Sequence, residues 1–169
     1  MSIQQPSKSQ RAASFGFSMI ELMIVVAIIA VLAAIAISSY SNYVVKTNRS
    51  AATGCMSQYA SYMERFYTTN LRYDETPASS SSSAAVPNPV AGTTPTLVLD
   101  CATTAQTGNN YTYSVPAPST TGYIIQATPI NAQLTRDKQC GALTLNQLGS
   151  RTAASGSTNT TIVAQCWGG

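Results

Sequence analysis

The chain has 169 residues, of which only 9% are charged, and nine Lys and Arg face six Asp and Glu for a formal charge of +3. That length holds one domain and a membrane helix but not a second globular core, and the charge balance gives no strong field for nucleic acid. Histidine is absent, which removes the usual acid–base side chain and the commonest metal ligand.

Residues 1–16 are polar and hold Pro6, Lys8 and Arg11 without an acid. The positive-inside tendency places such a leader on the cytoplasmic side, and it reads as a processing signal outside the fold. Behind Gly16 comes a greasy stretch from Phe17 to Ile37, 21 residues long, close to the roughly 20 that a helix needs to cross a bilayer core. Glu21 interrupts it near its start. An ionised carboxylate inside a span costs on the order of 2.5 to 3.5 kcal/mol even on lenient insertion scales. A cleavable secretory signal fits poorly, because its cut follows the apolar region instead of preceding it.

The motif Gly16-Phe17-Ser18-Met19-Ile20-Glu21, followed by an apolar run from Leu22 to Ile37, resembles the amino terminus of type IV prepilins. The resemblance implies a membrane peptidase that cuts between Gly16 and Phe17, and methylation of the new Phe17 amine. It implies residence in the inner membrane with a periplasmic head, then incorporation into an extracellular pilus. The partners so implied are other pilin subunits through their amino-terminal helices, the prepilin peptidase and an inner-membrane assembly platform. Glu21 would pair with a cation in the filament, the Phe17 amine of a neighbouring subunit, which offsets its desolvation and sets axial register. Many pilins carry a Gly midway along the apolar run and a Pro at its end. Ala30 and Ser38 stand at those places, so a more continuous helix is expected, the Pro penalty of about 3 kcal/mol being absent.

From Phe17 to Leu71 there is no Pro, and the one Gly is Gly54. A single helix of roughly 50 residues, some 75 Å long at 1.5 Å per residue, is predicted. Residues 17–37 form its transmembrane or filament-core part and 38–71 its amphipathic part. In the latter, Val45, Ala52, Cys55, Tyr59, Tyr62, Met63 and Phe66 recur at helical spacing and form one apolar stripe. Lys46, Arg49, Ser50, Ser57, Glu64 and Arg65 are assigned mostly to the opposite side.

Residues 72–169 form the predicted head. The Ser-, Pro- and Ala-rich stretch 76–96 reads as a polar, mobile surface loop. Strand character follows at Thr96–Leu99, Tyr111–Val115, Tyr123–Thr128 and Ala142–Leu145, with Ile130–Gln139 as a link and Asn146–Gly169 as a polar, turn-rich tail. Closely spaced strands after one long helix imply an α+β fold: a long amino-terminal helix against an antiparallel sheet.

Four cysteines, Cys55, Cys101, Cys140 and Cys166, read as two disulfides of an exported chain, with three pairings open. With no C-x-x-C spacing and no His, a metal site is not expected. Pilin heads combine a four-stranded antiparallel sheet with a disulfide-bounded carboxyl-terminal loop, and that resemblance implies Cys140–Cys166 and Cys55–Cys101. The segment Asp137 to Gly149 with the terminal Cys166-Trp167 is most similar to minor pilins of the PilE type. The implied function is a minor structural subunit that primes or joins pilus assembly for twitching motility, adhesion or DNA uptake, with no cofactor.

Three other readings bear on function. A DNA-binding competence pilin would use Arg136, Lys138 and Arg151, although no aromatic residue interleaves these bases in the sequence. A type II secretion pseudopilin shares the amino-terminal signal, but the carboxyl-terminal half offers no acidic cluster for calcium. An anchored enzyme would need a nucleophile and base, and Glu64, Asp74, Glu75, Asp100 and Asp137 provide no such pair.

Overall fold

Helix α1 runs unbroken from Met19 to Asn70, 52 residues and roughly 78 Å, through both Ala30 and Ser38. The computed structural model describes residues 18–78, 84–154 and 156–168. The leader with its Gly16–Phe17 cut, and part of the Ser-rich stretch, lie outside the described residues. Two units make up the chain, residues 1–40 and 41–169, and α1 contributes to both.

In the first unit α1 is apolar on every side. Met19, Ile20, Leu22, Ile28, Val31, Leu32, Ile35 and Ile37 are all exposed, and the helix is long and apolar enough to cross a membrane. Its end at Asn70 is abrupt, because Leu71 takes a left-handed φ of 57° while its N–H bonds to the Tyr67 carbonyl at 2.7 Å. This capping geometry usually belongs to Gly or Asn.

In the second unit the helix turns one stripe to a sheet. Strands β3 (Tyr111–Ser114), β4 (Ile124–Pro129), β5 (Leu143–Asn146) and β6 (Arg151–Thr152) form an antiparallel sheet in that order, and β1 (Glu75–Thr76) pairs with β2 (Val86–Pro87) as a separate small ribbon. Alternation with period two sends Tyr111, Tyr113, Ile125, Ala127, Leu143 and Leu145 into the core. Ala127 pairs with Tyr113 on one side and Leu143 on the other, so its small side chain leaves room for both neighbours. Those residues close over Ala52, Cys55, Met56, Tyr59 and Met63 of α1, with the Tyr59 and Tyr113 rings stacked 5.7 Å apart. Both disulfides are present, Cys55–Cys101 and Cys140–Cys166. By the chain-entropy model, spans of 46 and 26 residues each remove roughly 3 to 4 kcal/mol of unfolded-state entropy.

Several local expectations are corrected. Thr96–Leu99 is not a strand. Leu97 and Val98 are exposed, Leu97 N–H bonds to the Pro89 carbonyl at 3.0 Å, and a 3-10 turn follows at Asp100–Ala102. The fourth strand is instead Arg151–Thr152, inside what reads as an irregular tail. That tail also holds helix α3 (Thr160–Cys166), whose first N–H groups are capped by the Asn159 carboxamide, and the link 130–139 holds helix α2 (Asn131–Arg136).

The Ser-rich stretch is not wholly a loose surface loop, since Asn88 and Val90 are buried. The Asn88 carboxamide donates to the Tyr73 carbonyl at 2.8 Å and accepts from the Val90 N–H at 3.2 Å. A glycine is required at Gly108, where a Cβ would run into the carbonyl oxygen of Ala102.

Candidate nucleic-acid interface

The polar centre of the head is a side chain that the sequence analysis assigns to the wrong face. Arg49 lies four residues after Val45 and three before Ala52, so it shares the buried stripe. Its guanidinium forks onto Asp137, with Nε to Oδ2 at 2.9 Å and the second nitrogen to Oδ1 at 2.6 Å. The Asp137 carboxylate also accepts from Gln133 Nε2 at 3.0 Å and the Tyr111 hydroxyl at 3.2 Å. Gln133 in turn donates to the Val45 carbonyl at 3.2 Å. With Asp137 3% exposed, a fully satisfied network of this kind is the condition under which a buried carboxylate is tolerated. The network ties α1, α2 and β3 together, and Arg49 reaches α3 as well through the Gln165 carbonyl at 3.3 Å.

Arg136 and Lys138 flank Asp137 in the chain, and both are exposed. Arg136 lines an open groove with Asn42, Lys46, Gln139 and Gln165, floored by the Arg49–Asp137 pair. Arg151 lines a different groove, with Gly149, Thr158, Thr160, Val163 and Ala164. The structure therefore does not gather the three predicted cations in one place. Helix α3 contributes to both grooves, Gln165 to the first and Thr160, Val163 and Ala164 to the second. Among the described residues, Lys46, Arg136, Lys138 and Arg151 form no ion pair; the three pairs present join Arg49 to Asp137 and Arg72 to Asp74 and Glu75.

Two contributors were missed. Lys46 is one, its position on the groove being set only by the packing of α2 on α1. Trp167 is the other: the Arg151 guanidinium lies 5.1 Å from its ring centroid, within cation–π range, and the indole N–H donates to the Thr152 carbonyl at 3.0 Å. An aromatic surface therefore does accompany one of the bases, although 16 residues separate the two in sequence.

A second polar cluster sits at the far end of the amphipathic stripe. Glu64 accepts from the Tyr123 hydroxyl at 3.0 Å and the Tyr73 hydroxyl at 3.1 Å, while the Tyr73 and Tyr123 rings meet edge to face at 4.9 Å. Burial, reinforced by Glu64, pushes the Tyr123 phenol well above its usual range. Burial also pushes Tyr113 up to about 12 and Tyr111 higher still, with Asp137 adding to the effect. Such phenols donate hydrogen bonds and hold their protons, so they are structural and not acid–base groups at neutral pH.

Glu21 stands in the first turn of α1 and is exposed, a position the helix dipole favours for an acid. Among the described residues no group of three His, Cys, Asp or Glu is placed to hold a metal.

Residues 38–144 match the family model described as type IV minor pilin ComP, DNA uptake sequence receptor. The chain belongs to this family of type IV minor pilins. Its amino-terminal residues 11–37 match the prokaryotic N-terminal methylation motif, the segment that holds Gly16, Phe17 and Glu21. The pilin is thus a type IV pilus subunit by the first match, and the second agrees with it. Among solved structures, a type IV pilin from Shewanella oneidensis is 23% identical over 63% of this chain and 89% of that one, with a TM-score of 0.38. No curated protein matches the pilin. The matched family model is described as a DNA uptake sequence receptor, and a DNA-binding competence pilin is the alternative set beside the PilE type above.

Proposed function

We propose that this minor pilin binds DNA through cations of its head while serving as a subunit of the pilus, without catalysing a reaction. The observation that carries the reading is the match of residues 38–144 to the family of DNA uptake sequence receptors. In support, Arg136, Lys138 and Arg151 are exposed and free of acidic partners among the described residues. Trp167 beneath Arg151 adds an aromatic surface of the kind on which a base can stack.

In this reading residues 1–16 are removed by a prepilin peptidase, residues 17–37 hold the subunit in the inner membrane, and the head lies in the periplasm until an assembly platform adds it to an extracellular pilus. Glu21 then pairs with the Phe17 amine of the next subunit. Helices that leave lipid for a filament exchange one dry environment for another, so the ion pair carries the register.

Three cations on phosphates predict a modest, salt-sensitive affinity. The counterion slope is about −2.7, which is roughly a 40-fold loss between 50 and 200 mM salt. A gel shift or anisotropy titration of the full chain in a non-ionic detergent measures it. Arg136→Ala with Lys138→Ala should weaken binding by about tenfold or more and bring the slope about two units nearer zero. Binding unchanged in that variant would refute the assignment of these residues.

A further inference from the structure

Asp137 is placed between the two DNA-facing cations, yet its own carboxylate points the other way, into the head. We infer that Arg49 and Asp137 are a positioning pair that fixes the direction of Arg136 and Lys138 toward nucleic acid. The inference rests on the DNA-binding reading, and the pair itself touches no DNA.

The backbone at Asp137 is held on both sides. Its N–H bonds to the Gln133 carbonyl at 2.8 Å, and its carbonyl accepts from the Gly141 N–H at 3.0 Å. Next to Gly141, Cys140 is tied to α3 by the disulfide to Cys166. The carboxylate accepts four hydrogen bonds, from Arg49 twice, Gln133 and Tyr111. The Arg49 side chain is only 11% exposed. Residue 137 therefore cannot rotate without breaking a bidentate ion pair and two further hydrogen bonds. Its chain neighbours 136 and 138 are left to project outward, as both do. The same pairing also silences Arg49: its charge is spent on Asp137 and adds little to the field outside.

Electrostatics and positioning predict opposite outcomes for the acid. Removing a negative charge beside two phosphate-binding cations should, by field alone, tighten DNA binding. If the acid positions those cations, its removal should loosen binding. The decisive variant is the double replacement Arg49→Met with Asp137→Asn, which leaves the local net charge as it was and removes the buried pair together. Such paired replacements are often neutral for stability, so the head should stay folded.

The test is a DNA titration of the full chain in detergent at several salt concentrations, with a thermal melt of each variant to set the working temperature below its transition. The double variant should bind at least about fivefold more weakly and lose about one unit of salt slope. Partial unfolding alone would lower the bound amplitude and leave the slope of the remaining folded molecules intact. Asp137→Asn alone should also bind more weakly despite its extra positive charge, and Arg49→Lys should recover part of the loss.

Wild-type affinity and slope in the double variant, or tighter binding in Asp137→Asn, would overturn the positioning role. Both outcomes are separable from failure of the DNA reading itself. That failure would appear as no salt-dependent DNA binding by the wild-type chain, whereas wild-type binding in Arg136→Ala with Lys138→Ala would refute the assignment of those two cations.

Discussion

The two halves of α1 have the same secondary structure for different reasons. Residues 19–37 are apolar all round and find no partner within their own unit. Residues 45–66 present one apolar stripe, with Ala52, Met56, Tyr59 and Met63 almost wholly buried in one core with the sheet. An all-round apolar helix is stable only where its surroundings are apolar, whether lipid or other helices. The amphipathic half carries its environment with it. The division teaches that the first half is specified for interaction outside the chain and the second for folding within it.

Glu21 gives the sharpest way to separate the halves. Glu21→Ala should leave membrane insertion intact and the melting of the head unchanged, while the subunit disappears from sheared pili. An immunoblot of pilus and membrane fractions would decide, and normal incorporation would remove Glu21 from the assembly role.

A smaller effect is expected inside the head. Tyr59→Ala removes a fully buried ring stacked on Tyr113 and should cost about 3 to 5 kcal/mol. Ile28→Ala, on an exposed position of the other half, should shift the near-ultraviolet melt of the detergent-solubilised chain hardly at all. Equal shifts would show that the two halves are not independent in this sense.

The mildest effect belongs to alkaline pH. The folded state raises the pKa of Tyr111, Tyr113 and Tyr123 above the unfolded value near 10. Their contribution is therefore fully present below pH 10 and is lost as pH rises from there toward the folded value, about 12 for Tyr113. Absorbance titration of phenolate should show a late group of tyrosines that merges with unfolding.

Much of the head was legible because its signals are local. The absence of Pro predicts a long helix, and the stripe from Val45 to Phe66 predicts which side is covered. Alternation in Tyr111–Ser114 and Leu143–Asn146 reads as half-buried strands. What failed had non-local causes. Thr96–Leu99 has strand propensity, yet no strand lies beside it, and without a ladder partner the propensity decides nothing.

Arg151–Thr152 looks like loop and becomes a strand because it meets Thr144 and Leu145 across a tight turn. Arg49 was misplaced by treating charge as proof of exposure. Its spacing from Val45 and Ala52 would have put it on the stripe, and a buried Arg demands an acid. No rule of spacing could have named Asp137, 88 residues away.

By itself, the sequence determined the amino-terminal signal, the apolar run with its single acid and the period of the amphipathic helix. These are set by residue type at short range. Only the tertiary structure decided which cations stand free, because that depends on where the acids are consumed. Asp137 is taken by Arg49, and Asp74 and Glu75 by Arg72, while among the described residues Lys46, Arg65, Arg136, Lys138 and Arg151 are exposed and form no ion pair. Long-range packing assigns those partners, and charge count alone does not contain them.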